Sequence, residues 1–526
     1  MHDILIKNGT VIDGSGRPRF EADIAISEDR ITEIGKLAGD KADKVIDAKG
    51  KIICPGFVDV SNRSDVYWQL FENPHQESLL YQGITTIIGG NSGSSLAPLA
   101  SVDAINTIQK WADMNNVHPD WHTMKEYLTY IDEHKTSLNY GTLVGHATLR
   151  RALTGDEHRA LTDKEIKQMQ KMLRAALKGG GIGLSTGLLY THARATDERE
   201  IEALLSVVKE FDAIYAVHLR DEGQYLPQAL DEALLAAQTA KVRLHVTHLK
   251  AVGENNWHLM DEAIGMIEMA RAEGVVVMFD VYPYTATGSV LYAFLPEWVS
   301  EGGKKMMLGR LRNPSIRMRV EKELENADVD FAQAIVSISS IDETLAHRYI
   351  GEIAQRSGQS IETTVIDLLL ATEGRVIVIM DQALHEENVA RAIAHPFSVI
   401  TSNSAGYSEA HRTSGAVIHP RSFGAFPHVL AEYVKDRHIL NWEAAIHKMS
   451  GKPSEYFGLK ERGLLRTGYY ADIIVLDPES VQDRATIADP YQYAQGIEWL
   501  LVNGQISIAK SVYNSKMWGK ALRRDK

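Results

Sequence analysis

TDKEIKQMQKMLRAALKGGGIGLS, residues 162–185, contains one repeat of the fold. Thr162 and Glu165 precede an amphipathic run at the spacing of a helix capping box. Apolar residues recur at helical spacing as far as Lys178, and Gly179-Gly180-Gly181 ends the helix. Ile182–Ser185 then reads as a short buried strand. Seven similar apolar runs lie on either side: Phe57–Val60, Thr85–Ile88, Thr142–Gly145, Ile214–His218, Leu244–His248, Val275–Asp280 and Ser398–Thr401. Continuous apolar strands alternating with helices indicate a parallel sheet covered on both faces. Eight of them predict an α/β fold, a (β/α)8 TIM-like barrel over residues 56–448. The stretch 289–398, between the last two runs, is expected to be an insertion over the barrel mouth.

The two ends have a different texture. Asp3–Lys7 and Asp23–Ser27 alternate apolar and polar residues, as half-buried strands do, and Asn8-Gly9 and Asp13-Gly14 read as turns. Ala471–Leu476 and Trp499–Asn503 repeat the pattern. Residues 1–55 and 449–512 are therefore expected to form one small β-sandwich from both chain ends, with 513–526 as a C-terminal tail.

Composition narrows the function. The 526 residues are 44% hydrophobic and 24% charged, which is ordinary for a globular protein. The 69 acidic residues outnumber 56 basic ones, a net charge of −13 that argues against a nucleic-acid partner. Cys54 is the only cysteine, so no disulfide forms within the chain, which fits a reducing cytoplasm. The N-terminus does not read as a signal peptide, and no run of about 18 apolar residues suggests a membrane span. The expected partner is a small molecule; association of identical chains stays open.

A barrel of this kind carries its site at the C-terminal ends of the strands. The runs end in His218, His248 and Asp280, Thr142–Gly145 leads into His146, and Ser398–Thr401 leads into Ser402-Asn403-Ser404. One histidine among 20 says little. His218 and His248, at equivalent ends of consecutive strands, form a pair suited to acid–base or metal chemistry.

Longer segments carry a resemblance. They are ICPGFVDV at 53–60, GITTIIGGNSGSSLAP at 83–98, LVGHATLR at 143–150, GIGLSTGLLY at 181–190, YAVHLRDEG at 215–223, VTHLK at 246–250, DVYPYTATGS at 280–289, HPRSFGAFPHVL at 419–430 and GLKERGLLRTGYYADIIVLDP at 458–478. Over nearly its whole length the chain resembles the N-acyl-D-amino-acid deacylases (D-aminoacylases) of the amidohydrolase superfamily. The resemblance implies a (β/α)8 barrel with a β-sandwich from both ends, and zinc-dependent hydrolysis of the amide of N-acylated D-amino acids. It also implies that Lys250 and the Tyr282-Pro283-Tyr284 segment line the substrate pocket.

The departures fall on the implied zinc ligands. Where the family has His-x-His after the first strand, this chain has Ser61 and Arg63. The family's cysteine ligand matches Ser92, and its catalytic aspartate matches Asn403. Of the usual ligands His218 and His248 remain. Zinc takes about four ligands from Cys, His and carboxylate. Arg63 instead brings a fixed positive charge that does not deprotonate. Two cations a few Å apart would repel by several kcal/mol at an effective dielectric of about 20. No cofactor is therefore expected. Were zinc retained, Asp65 or Asp280 would be the expected third ligand.

Arg63, His218, His248, Lys250 and Asn403 are expected to converge as the catalytic group. Ser61, Ser92, Tyr190, Tyr282, Tyr284 and Ser289 are expected to contact substrate. Arg63 can clamp an oxyanion or carboxylate, a histidine can act as acid or base, and Lys250 can anchor a carboxylate or form a Schiff base. The expected activity is hydrolysis of an amide-bearing, N-acyl-amino-acid-like, carboxylate-bearing molecule without zinc. The alternatives are a metal-free lyase, isomerase, retro-aldolase or cyclase in the same pocket, and a non-catalytic relative.

Overall fold

The computed structural model describes residues 2–37, 39–99, 119–155, 157–190, 193–339 and 345–524. Eight barrel strands follow one another in chain order: β1 Phe57–Asp59, β2 Ile84–Gly89, β3 Asn139–Thr142 continued by Val144–Gly145, β4 Gly183–Gly187, β5 Ile214–His218, β6 Arg243–Val246, β7 Val277–Val281 and β8 Ser398–Ile400. Each pairs in parallel with the next. All of β4, β5 and β7 is buried, as apolar strands covered on both faces must be. The helix Asp163–Lys178 carries the expected capping box from Thr162 and Glu165.

The barrel closes through a side chain. Asp59, fully buried at the end of β1, accepts from Thr401 Oγ1 at 2.6 Å, the Ser402 amide at 3.0 Å, Ser402 Oγ and Asn62 Nδ2 at 2.9 Å. One carboxylate thus joins β1 to the segment following β8. Beyond it, the Arg63 amide donates to the Ser404 carbonyl at 2.8 Å.

The β-sandwich at the chain ends is one continuous nine-stranded sheet. Its seam is the antiparallel pairing of Ile52–Pro55 with Ile473–Leu476. Ile4, Ile24, Ile53, Ile473, Trp499 and Leu501 fill its core. Asn8-Gly9, expected as a turn, instead forms a bulge within the strand His2–Val11. Asn8 takes φ +64, and a Cβ at Gly9 would meet Ile53 at 2.5 Å, so close packing and the bulge account for this dipeptide. The C-terminal tail docks on β3: the Tyr140 amide donates to the Lys520 carbonyl at 2.9 Å, and the Tyr140 carbonyl accepts from the Leu522 amide at 2.7 Å.

Between β7 and β8, Thr287–Val290, Ala334–Ser339 and Val376–Met380 form a three-stranded antiparallel sheet flanked by helices. Ser289, Val290, Phe294, Arg319 and Lys322 bring this unit to one wall of the pocket at the barrel mouth. Among the described residues no helix is long and apolar enough to cross a membrane.

Candidate active site

The site is assembled from strand ends held in an unusual backbone conformation. Ser92 after β2, His248 after β6 and Asn403 after β8 all have positive φ, at +52, +40 and +46. This left-handed region costs non-glycine residues energy, and such strain concentrates at functional positions. The surroundings impose it. The His248 amide donates to Asp280 Oδ1 at 2.8 Å, while Asp280 Oδ2 lies 2.6 Å from His245 Nε2. Behind Ser92, a Cβ on Gly187 would come within 2.2 Å of the Ser92 carbonyl oxygen, so β4 must end in glycine.

Arg63 occupies the centre. Its Nε donates to Asn403 Oδ1 at 3.1 Å and its Nη2 to Ser92 Oγ at 2.9 Å. Ser92 Oγ in turn lies 3.2 Å from His218 Nδ1. The His218 and His248 rings meet edge to face with centroids 4.4 Å apart. On the far side of this pair, Lys250 Nζ donates to Glu222 Oε1 and lies 2.9 Å from His248 Nδ1, which is 3.0 Å from Glu222 Oε1. Two cations therefore bracket two imidazoles.

Both imidazoles are held neutral. Burial pushes His218 well below the usual imidazole range, with His248, Lys250 and Arg63 adding to it and Glu222 opposing. Burial also depresses His248, reinforced by Lys250, Arg63 and Arg421. The pocket above has a volume of about 920 Å³. Arg63, Tyr190, His218, His248, Lys250, Ser289 and Asn403 all line it.

Four residues expected to contact substrate lie off that wall. Ser92 sits beneath it, engaged by Arg63 and His218. Tyr282 stands behind, its ring 4.6 Å from the Arg421 guanidinium. Ser61 is buried, and its Oγ has no hydrogen-bond partner among the described residues. Tyr284 turns away, stacking on His428 at 4.7 Å and donating to Asp483 Oδ2 at 3.4 Å. The sequence could not separate Tyr282 from Tyr284, because their orientations depend on the loop that follows β7.

Two pocket residues were not singled out from the sequence. Glu222 follows His218 by four residues and reaches back to the histidine pair. Arg421, in the HPRSFGAF segment, is buried and lines the pocket, with no hydrogen-bond partner for Nε or Nη1 among the described residues. Burial pushes its pKa below the ordinary guanidinium value. The cue for both was available, since Glu222 lies inside YAVHLRDEG and Arg421 inside HPRSFGAFPHVL.

This donor set does not fit the family's zinc centre. Where the resemblance places ligands, a guanidinium bonds the Ser92 hydroxyl and the Asn403 amide. Among the described residues, the group at the mouth with metal-ligand spacing is His218, Glu222 and His248. Its third member is Glu222, not Asp65 or Asp280. Asp65 is spent on the Gly90 and Val66 amides, and Asp280 on His245 and the His248 amide. The Lys250 ammonium already holds Glu222 and contacts His248. A zinc ion there would have to displace one cation and sit near another.

Comparison with known proteins places this geometry. Residues 44–508 match the amidohydrolase family. The N-acyl-D-aspartate deacylase of Alcaligenes xylosoxydans xylosoxydans is 33% identical over 96% of this chain and 91% of its own length. The D-aminoacylase of the same organism is 31% identical over 99% of this chain and 98% of its own. The crystal structure of the N-acyl-D-glutamate deacylase of Bordetella bronchiseptica, complexed with zinc and a phosphonate inhibitor that mimics the tetrahedral intermediate, is 30% identical. It superposes with a TM-score of 0.84 over 99% of this chain and all of that one. The barrel, its strand-end site and these full-length matches together establish that the chain belongs to the amidohydrolase family, enzymes that hydrolyse amide C–N bonds.

Proposed function

We propose that this enzyme hydrolyses the amide of an N-acylated amino acid bearing a free carboxylate, with the Arg63 guanidinium standing where relatives hold zinc. The observation that carries this reading is the pair of hydrogen bonds from Arg63 to Ser92 and Asn403. They fix a permanent cation at the strand ends where a metal would polarise the scissile carbonyl. The names of the relatives, deacylases of N-acyl-D-aspartate and N-acyl-D-glutamate, support the substrate class.

Each residue then has a task. Arg421 lines the pocket, has two buried donors without a partner among the described residues, and receives the substrate carboxylate through a charge-assisted pair. Arg63 faces the carbonyl oxygen and stabilises the negative charge that develops there. His218, neutral because it is buried, accepts a proton during attack and returns it to the leaving amine. His248 is tied at Nδ1 to Lys250 and Glu222, which leaves Nε2 to face the reacting groups. Asn403 does not act as a general base; it orients Arg63.

Arg63→Met keeps the length and removes the charge. On a panel of N-acetyl-D-amino acids assayed with chelator present, it is expected to lose at least about 100-fold in kcat/KM, the scale of one oxyanion donor. An Arg63→Met enzyme as active as the parent would overturn the reading.

A further inference from the structure

Ser92 has so far served only as a partner for Arg63, but its contacts define a further role. Its Oγ lies 2.9 Å from Arg63 Nη2 and 3.2 Å from His218 Nδ1. A guanidinium can only donate, so Oγ accepts from Arg63; in the His218 tautomer with its proton on Nε2, Oγ gives its own proton to Nδ1. On the other side of the ring, His218 Nε2 has no hydrogen-bond partner among the described residues and faces Glu222 Oε1 at 3.8 Å. Hydroxyl, imidazole and carboxylate thus stand in series, the order in which a nucleophile, its base and the group that stabilises the protonated base are arranged. The 3.8 Å gap is longer than a hydrogen bond, and such contacts are often loose before substrate binds. Ser92 also sits in the tight loop Gly90-Asn91-Ser92-Gly93 at φ +52, backed by Gly187.

We propose that Ser92 is the nucleophile of this enzyme and carries the acyl group as a serine ester during turnover. The proposal rests on the metal-free hydrolysis argued above and supplies its missing attacking group. In the resting arrangement Ser92 is 1% exposed and Arg63 covers its Oγ. When a substrate carbonyl oxygen takes the Arg63 donor, Oγ is uncovered and one of its lone pairs is freed. Oγ attacks the carbonyl carbon while its proton passes to His218 Nδ1, and the carbonyl electrons move onto the oxygen held by Arg63. Collapse of this intermediate restores the C=O bond and breaks the C–N bond, and the departing amine takes the proton from His218. Water then attacks the ester carbonyl and gives its proton to His218. The C–Oγ bond breaks and Oγ recovers that proton. The products are the free amino acid and the carboxylic acid of the acyl group; no oxidant, reductant or metal is consumed.

The test uses the full chain with chelator present and p-nitrophenyl acetate as acyl donor. The proposal expects a burst of about one p-nitrophenolate per chain, the sign of an accumulating acyl-enzyme. After acid quenching, peptide mapping should find the acetyl group on Ser92. Ser92→Ala should lose the burst and the label, and about 1,000-fold or more in kcat on an N-acyl amino acid. Ser92→Cys retains a nucleophile in the same place; it guards against a mere folding defect and should remain acylated. No burst, an acetyl group on another residue, or turnover surviving in Ser92→Ala would overturn the proposal. The last result would leave metal-free hydrolysis standing. Loss of all wild-type turnover on chelation would instead remove the reading on which the proposal rests.

Discussion

The chemistry turns on which charges in the pocket lack a partner. Among the described residues, Lys250 is neutralised by Glu222, whereas Arg63 bonds the neutral Ser92 and Asn403 and Arg421 has two donors without a partner. These two guanidiniums are close enough for Arg63 to depress Arg421 further. The proposed anionic substrate would relieve that repulsion, so on this reading affinity depends on both. Arg421→Met is expected to raise KM by about 10-fold or more with a smaller change in kcat, the pattern of a lost ground-state contact. Steady-state kinetics on a carboxylate-bearing N-acyl amino acid and on its methyl ester would measure this; the ester should discriminate little between parent and variant. Part of this residue-level picture was legible in the sequence. Arg63, His218, His248, Lys250 and Asn403 stand at strand ends, and in a barrel strand ends point to one mouth. Glu222 and Arg421 were harder to find because neither stands at a strand end. Arg421 lies 18 residues beyond Asn403, at the start of the helix Arg421–His428, where no strand period fixes its direction.

Strands and their junctions hold those residues in place. The eight runs read from the sequence coincide with the eight barrel strands to within a few residues, because a strand buried on both faces leaves a mostly apolar signature. Closure of the ring leaves none. It depends on Asp59, a charged residue inside the run Phe57–Val60, whose meaning appears only once β1 and β8 are side by side. Its neighbours there, Thr401, Ser402 and Asn62, all present donors. Asp59→Asn would set an amide NH₂ against them. The variant is expected to lose about 2–4 kcal/mol of stability, the scale of broken buried charge-assisted hydrogen bonds, read from the midpoint of urea unfolding. Arg63 should shift with it, because its amide is tied to Ser404 just beyond the staple.

Across the whole molecule, neutral buried histidines link stability to pH. Burial holds His218, His248 and His419 well below the ordinary imidazole value. Below about pH 6.5 the unfolded chain takes up protons at these positions and the folded chain does not. Unfolding is thereby favoured, so stability falls as pH drops from about 6.5 toward the folded values. Thermal melts between about pH 7.5 and 5.5 should show Tm decreasing with acidity, and His419→Gln should make that slope shallower. The chain belongs to the amidohydrolase family, and the proposal is that the Arg63 guanidinium and the Lys250 ammonium take the part of a metal centre in its barrel. The most direct test of that claim is elemental analysis of the wild-type protein purified without chelator, paired with its activity before and after chelation. The account predicts zinc far below one per chain and turnover indifferent to chelator; about one tightly held zinc per chain, with turnover lost on its removal, would contradict it.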